Sequence, residues 1–177
     1  MLYCFGFESV AVLVSDLYFF DAAAAGDQHG AERGVRLELR SLEGEELVGS
    51  VYSAQPLRVG RPIWRVDLLE SLAGPPGSFD RTHHHPRFAG WEPQDRVFDA
   101  QLSAEPIEWV GRRLVDLDGI FEQAGLEPAA AGDAVELRAA VPEILDSVRR
   151  LLARVHAGEL ASAPAKPPTA TTRIGWL

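Results

Sequence analysis

The stretch VRLELR, residues 35–40, alternates apolar and charged side chains without a break. Successive side chains of a strand point to opposite faces of a sheet. Val35, Leu37 and Leu39 therefore share one face, and Arg36, Glu38 and Arg40 share the other, as in a half-buried strand. A second stretch, IWRVDLLE at 63–70, repeats the alternation. There Ile63, Arg65, Asp67 and Leu69 lie on one face, and Trp64, Val66 and Leu68 on the other. Working outward, Val10 to Phe20 is rich in β-branched, aromatic and leucine residues. It reads as one long strand or two short ones broken near Ser15 and Asp16. Residues 21–34 (DAAAAGDQHGAERG) read as a loop, and SLEGEE with Gly44 as a turn. A further strand is expected within residues 47–59, with Pro56 marking an edge or a break. Residues 71–80 (SLAGPPGSFD) exclude regular structure. DRVFDAQL, residues 95–102, reads as a last strand. The first hundred residues thus predict an antiparallel sheet of four to six strands with one long loop between its last two.

Helical spacing takes over beyond that point. Pro106 suits a first helical turn, and Ile107, Val110, Leu114 and Leu117 recur at helical intervals. DGIFEQAG predicts a short helix closed by Gly125. Asp133 and Glu136 have the spacing of a capping box, and Pro142 starts or kinks a final helix. That helix carries Ile144, Leu145, Val148, Leu151, Leu152 and Val155 as its apolar stripe, and Gly158 closes it. Strands followed by helices predict an α+β fold, with the helices packed on one sheet face. Residues 1–160 form one domain in this reading. Residues 161–177 form a Pro/Ala/Thr-rich tail with the apolar end Ile174, Trp176 and Leu177. The tail predicts docking of Trp176 into an apolar groove, on its own sheet or on a second copy of the chain. A protein partner or homodimer through the sheet edge or this tail is the corresponding expectation.

The chain has 177 residues, 46% hydrophobic and 24% charged, with a formal net charge of -9. Those proportions are ordinary for a soluble domain, and the acidity argues against a nonspecific nucleic-acid binder. A single cysteine, Cys4, excludes an intramolecular disulfide. The apolar N-terminus has no positive leading region and carries Glu8 and Asp16, unlike a signal peptide. No stretch reaches the uncharged length of a membrane span. A cytoplasmic location is the resulting expectation. One lysine, sixteen arginines and no asparagine fit a GC-rich bacterial genome. There is no Gly-rich phosphate loop, no serine nucleophile elbow and no zinc-ligand cysteine pair, so no cofactor is named.

The chemistry concentrates in SFDRTHHHPRFAGWEP, residues 78–93, which holds three of the five histidines. In an extended segment His83 and His85 converge while His84 faces away. Pro86 pushes His85 toward extended geometry. Two converging imidazoles serve either as paired metal ligands, with Asp80 as a candidate third, or as a general acid–base pair. Arg65, Arg81 and Arg96 gather around them. Guanidiniums repel a cation and welcome a phosphate or carboxylate, so the loop leans toward an anionic ligand. In the catalytic reading His83 and His85 exchange protons, Arg65, Arg81 and Arg96 hold the anion, and Asp67 or Asp80 orients an imidazole. RNA phosphodiester cleavage is the best-matched reaction. Trp91 either anchors the loop or stacks on a base or sugar. The competing reading is a hydrogen-bonded network that only pins a long loop. His29 and His156 are isolated and read as surface or capping residues.

Arg65-Val66-Asp67, the glycine-containing loop at Gly74 to Gly77, the D-x-x-H-x-H motif from Asp80 to His85, and Glu92-Pro93 together resemble the TumE-like toxin family. The resemblance spans about residues 63–117. It implies a small bacterial toxin that is held by a cognate antitoxin and acts on RNA.

Overall fold

Alternation places two kinds of surface on one sheet, and helices cover only the apolar one. A computed structural model of the chain describes residues 1–20 and 30–163. Residues 21–29, with His29, and the tail from residue 164, with Trp176, lie outside the described residues. Five strands form the sheet: β1 (Leu2–Gly6), β2 (Val10–Phe20), β3 (Ala31–Gly44), β4 (Leu57–Ser71) and β5 (His83–His85). They pair in chain order, each antiparallel to the next. A small ribbon follows, β6 (Phe88–Ala89) with β7 (Glu92–Pro93). Among the described residues four helices complete the fold: α1 (Ala100–Ala104), α2 (Pro106–Val115), α3 (Leu117–Ala124) and α4 (Ala131–His156). This is the α+β arrangement that the alternating stretches predict.

The core lies between the helices and one sheet face. Val12, Leu39 and Trp64 stand opposite one another on β2, β3 and β4, as do Val14, Leu37 and Val66. All six are buried, together with Leu102, Trp109, Leu114, Ile120, Leu137, Ile144 and Leu151 from the helices. Each such side chain contributes about 1.5–3 kcal/mol by leaving water. Pro106 opens α2 as expected, and Gly125 ends α3 in the left-handed conformation that favours glycine.

Several expectations fail for local reasons. No strand forms within residues 47–56, and β4 starts only at Leu57. Val48, Val51 and Tyr52 have no surface to pack on, and Tyr52 is 94% exposed. Residues 31–34, expected in a loop, extend β3 because Glu32 and Ala31 find partners in Phe19 and Phe20. β1 pairs along β2 in a segment read only as an apolar N-terminus. The last expected strand shrinks to one bridge, Val97 with His84. Just beyond it, Asp99 accepts hydrogen bonds from the backbone N–H groups of Gln101 and Leu102 and starts α1 instead. Pro142 lies inside α4, which does not start there.

The expected capping box at Asp133 does not form either. α4 begins at Ala131 with no side-chain cap. Asp133 faces the β1–β2 turn and accepts from Glu8 N at 2.7 Å, from Ser9 N at 3.1 Å and from the Ser9 hydroxyl. It is buried, so its loss strands backbone donors. We expect Asp133→Ala to lower stability by about 1–3 kcal/mol in urea denaturation, and Glu136→Ala to change it by less than about 0.5 kcal/mol.

Candidate functional site

The second sheet face carries charge where the first carries leucine and valine. Two cross-strand rows build it. One runs Arg36, Asp67, His83 across β3, β4 and β5, and the next runs Glu38, Arg65, His85. Residues directly opposite in an antiparallel pair have side chains in contact range, so register alone brings these groups together.

Asp67 sits at the centre and is 1% exposed. Arg36 grips its carboxylate with both fork positions, Nε to Oδ1 at 2.6 Å and Nη2 to Oδ2 at 3.1 Å. Arg65 Nε lies 3.2 Å from Oδ2. Burial alone would raise the Asp67 carboxyl. The Arg36 and Arg65 charges and the hydrogen bonds from His83 and Arg36 outweigh it and hold the group well below the usual carboxylate range.

His83 is held at both ring nitrogens. Its Nδ1 lies 2.8 Å from the Arg81 carbonyl oxygen and donates to it, which directs Nε2 to Asp67 Oδ2 at 3.4 Å. His85 Nε2 lies 3.9 Å from the same oxygen, and the two rings meet edge to face at 5.1 Å. Burial, reinforced by Arg65, pushes the His85 imidazole down to about 3. At neutral pH His85 is therefore uncharged. His84 turns to the core as expected and packs against Trp109 at 4.9 Å. Burial first, then Arg113, push it down to about 4.

A cavity of about 150 Å³ opens on this face. Its walls include Arg65, Asp67, His83, His85 and Arg96, so five of the expected residues meet in one place. Arg96 Nη2 stands 3.4 Å from His83 Nδ1. Three expected residues do not join them. Asp80 belongs to the turn before β5, where it accepts from Ser71 N at 2.9 Å and from the Ser78 hydroxyl at 2.8 Å. Arg81 contributes its backbone carbonyl to His83, while its side chain lies beside Asp80 with Nε 3.6 Å from Oδ2. Trp91 is 59% exposed at the ribbon tip, with the Arg40 guanidinium over its ring. Neither Asp80, Arg81 nor Trp91 lines the cavity.

The carboxylate partner of the two histidines is therefore Asp67, not Asp80. A residue three positions before a short strand is in the turn, whereas the residue opposite on the neighbouring strand is in contact. A ring nitrogen of His83, one of His85 and an Asp67 oxygen lie close enough together to form a candidate cation cluster, all three ligand atoms within 4.8 Å of one another. Two imidazole nitrogens and a carboxylate suit a zinc-type ion, and the Nδ1 bond from His83 to a backbone carbonyl is the outer contact such ligands usually make. Arg36 and Arg65 crowd the same carboxylate oxygen, which opposes a cation there.

Sequence reasoning missed Glu32, Arg36 and Phe19, which also line the cavity. Arg36 was visible on the charged face of VRLELR. Glu32 was hidden in an apparent loop. Comparison with known proteins gives no match, whether to family models, curated proteins or solved structures.

Two buried neutral histidines predict a pH dependence. Their folded pKa values, about 4 and about 3, lie below the ordinary 6.5, so the unfolded chain binds more protons in that window. Their contribution to stability is complete above pH 6.5 and is lost as pH falls toward 4 and then 3. Each contributes a slope of up to about 1.4 kcal/mol per pH unit. We expect chemical denaturation to show falling stability from pH 6.5 to 4. In His84→Gln that slope is expected to drop by about half, because one of the two histidines no longer titrates.

Proposed function

We propose that the cavity binds a phosphate-type oxyanion and that its reaction class is phosphodiester cleavage in RNA. The observation that supports this reading most is the charge arrangement at Asp67. Arg36 holds both of its oxygens and Arg65 stands beside one of them, while Arg65 and Arg96 also line a cavity that holds two imidazoles. Guanidinium forks bind phosphate oxygens with directed hydrogen bonds. Arg65 and Arg96 hold the phosphate in this reading, and Arg81 acts only through its carbonyl on His83.

The division of labour between the histidines follows from their surroundings. His85, uncharged, accepts the proton of the attacking 2′-hydroxyl. His83, oriented by Asp67 and by the Arg81 carbonyl, delivers a proton to the leaving oxygen. The strong depression of His85 makes it a weak base, so this site is expected to be slow near neutral pH unless a bound phosphate restores its basicity. The resemblance of residues 63–117 to the TumE-like toxin family points to the same substrate class. A held toxin also requires a protein partner, and the outer edge of β1 or the tail is the surface we assign to it. Among the described residues no helix is long and apolar enough to cross a membrane.

A cation at Asp67, His83 and His85 is the second reading, carried by the convergence of those three donors. Elemental analysis of the purified protein separates the two. We expect less than about one-tenth of an equivalent of zinc or another transition metal, because two guanidiniums share the carboxylate. Stoichiometric metal would replace the anion reading.

Titration calorimetry with inorganic phosphate tests binding directly. The wild type is expected to bind, and the Arg65→Gln, Arg96→Gln double variant to bind at least about tenfold more weakly. In parallel, wild-type protein incubated with single-stranded RNA should yield cleavage products that the His83→Ala, His85→Ala variant does not. Phosphate binding without cleavage would leave an anion-binding module and remove the catalytic role.

A further inference from the structure

Glu32 is a charged residue of the cavity wall that the reading above leaves without a task. It lies on β3, opposite Phe19 on β2 and Ser71 on β4, and is 3% exposed. Its Oε2 is buried and has no hydrogen-bond partner among the described residues. The guanidinium Nη2 of Arg96 is 3.9 Å away, beyond hydrogen-bond distance. A buried carboxylate oxygen with nothing to accept from is costly, and native structures rarely keep one unless a ligand or ordered water meets it. Glu32 lines the same cavity as His83 and Arg65, so a ligand bound there meets its side chain.

Three features narrow what that ligand group is. Arg65 and Arg96 stand on the cavity wall, so a ligand ammonium would be repelled, and a neutral donor is favoured. Burial raises the Glu32 carboxyl, while Arg96, His83 and Arg81 pull it down. A carboxyl with raised affinity for a proton tolerates a neighbouring phosphate better than an ordinary one does. Finally, Arg96 Nη2 is within 4 Å of both His83 Nδ1 and Glu32 Oε2. A phosphate oxygen held by Arg96 and a donor held by Glu32 therefore belong to neighbouring atoms of one ligand.

Resting on the oxyanion reading of the same cavity, we propose that Glu32 reads a hydroxyl on the carbon next to the phosphate-bearing carbon, which makes the site selective for a ribose phosphate over its deoxy counterpart. In the bound ribonucleotide the hydroxyl donates to Oε2, and its proton passes to His85 only in the cleavage step, while the phosphate lies against Arg65 and Arg96. Glu32 is thus the specificity determinant of the site, on a strand that contributes nothing to the histidine motif.

Calorimetric titration with uridine 3′-monophosphate, its 2′-deoxy analogue and inorganic phosphate tests the proposal. The wild type should bind the ribonucleotide about tenfold more tightly than the deoxy analogue, the scale of one hydrogen bond to a charged group. In Glu32→Gln and Glu32→Asp that preference should fall to within about twofold, since neither presents a carboxylate oxygen at the same point. The wild-type ratio needs no variant and stands even if both variants misfold. A wild-type ratio near one, with inorganic phosphate still bound, overturns the role of Glu32 and leaves the oxyanion site intact. A preference that survives in folded Glu32→Gln assigns it to another residue and also overturns the role of Glu32. Failure of all three ligands to bind overturns the oxyanion reading and this inference with it.

Discussion

The bidentate pair between Arg36 and Asp67 is the constraint around which this sheet is arranged. A carboxylate that is almost fully buried carries a desolvation cost of several kcal/mol, and only well-aligned partners offset it. Arg36 supplies two hydrogen bonds from the neighbouring strand, and Arg65, two residues along β4, adds its charge. These contacts exist only in the observed register. A slip of one residue between β3 and β4 would turn Arg36 into the leucine-rich core and bring Leu37 to the charged face. The pair therefore acts on specificity of strand alignment as much as on stability. It also fixes where His83 stands, since β5 pairs with β4 opposite the same aspartate.

The three histidines of β5 divide between the two worlds that the sheet separates. His84 is a core residue, wedged beside Trp64 and Trp109, and its backbone exchanges two hydrogen bonds with Val97. His83 and His85 are cavity residues. The core histidine holds the strand in place, and the flanking pair is presented as a result. A three-residue strand with a proline directly after it has little pairing strength of its own, so the aromatic packing of His84 is what anchors the other two.

Much of the fold and part of the site were legible because period-two patterns survive in the sequence. VRLELR and IWRVDLLE give both faces of β3 and β4, and alternation within HHH gives the convergence of His83 with His85. Arg65 and Asp67 were visible as neighbours on one face. What stayed hidden was which distant residues stand opposite one another. Asp80 is close to the histidines along the chain but faces its own turn, whereas Asp67 reaches them across a strand pair. Glu32 follows a stretch rich in glycine and alanine that masks the start of β3. The segment at 95–102 has strand-like composition, yet Asp99 offers its carboxylate to the first turn of α1, and capping wins over pairing after one bridge. Asp133 shows the same competition in reverse. Its spacing to Glu136 suits a cap, but the open N–H groups of Glu8 and Ser9 are better placed.

That last contact joins residues separated by 124 and 125 positions. The apolar sheet face is complete in the chain well before α4, the helix that covers much of it, and the two are connected through contacts distant in sequence. On the ribosome, five strands' worth of valine, leucine and tryptophan would emerge with no lid. Long-range pairing of this kind closes slowly, and a half-finished sheet with an apolar face and an open β1 edge is prone to associate with other chains. The charged second face, by contrast, can settle its ion pairs as soon as β3 and β4 meet. The polar side of this protein is thus assembled from strands consecutive in the chain, and its apolar side waits for the C-terminal helix.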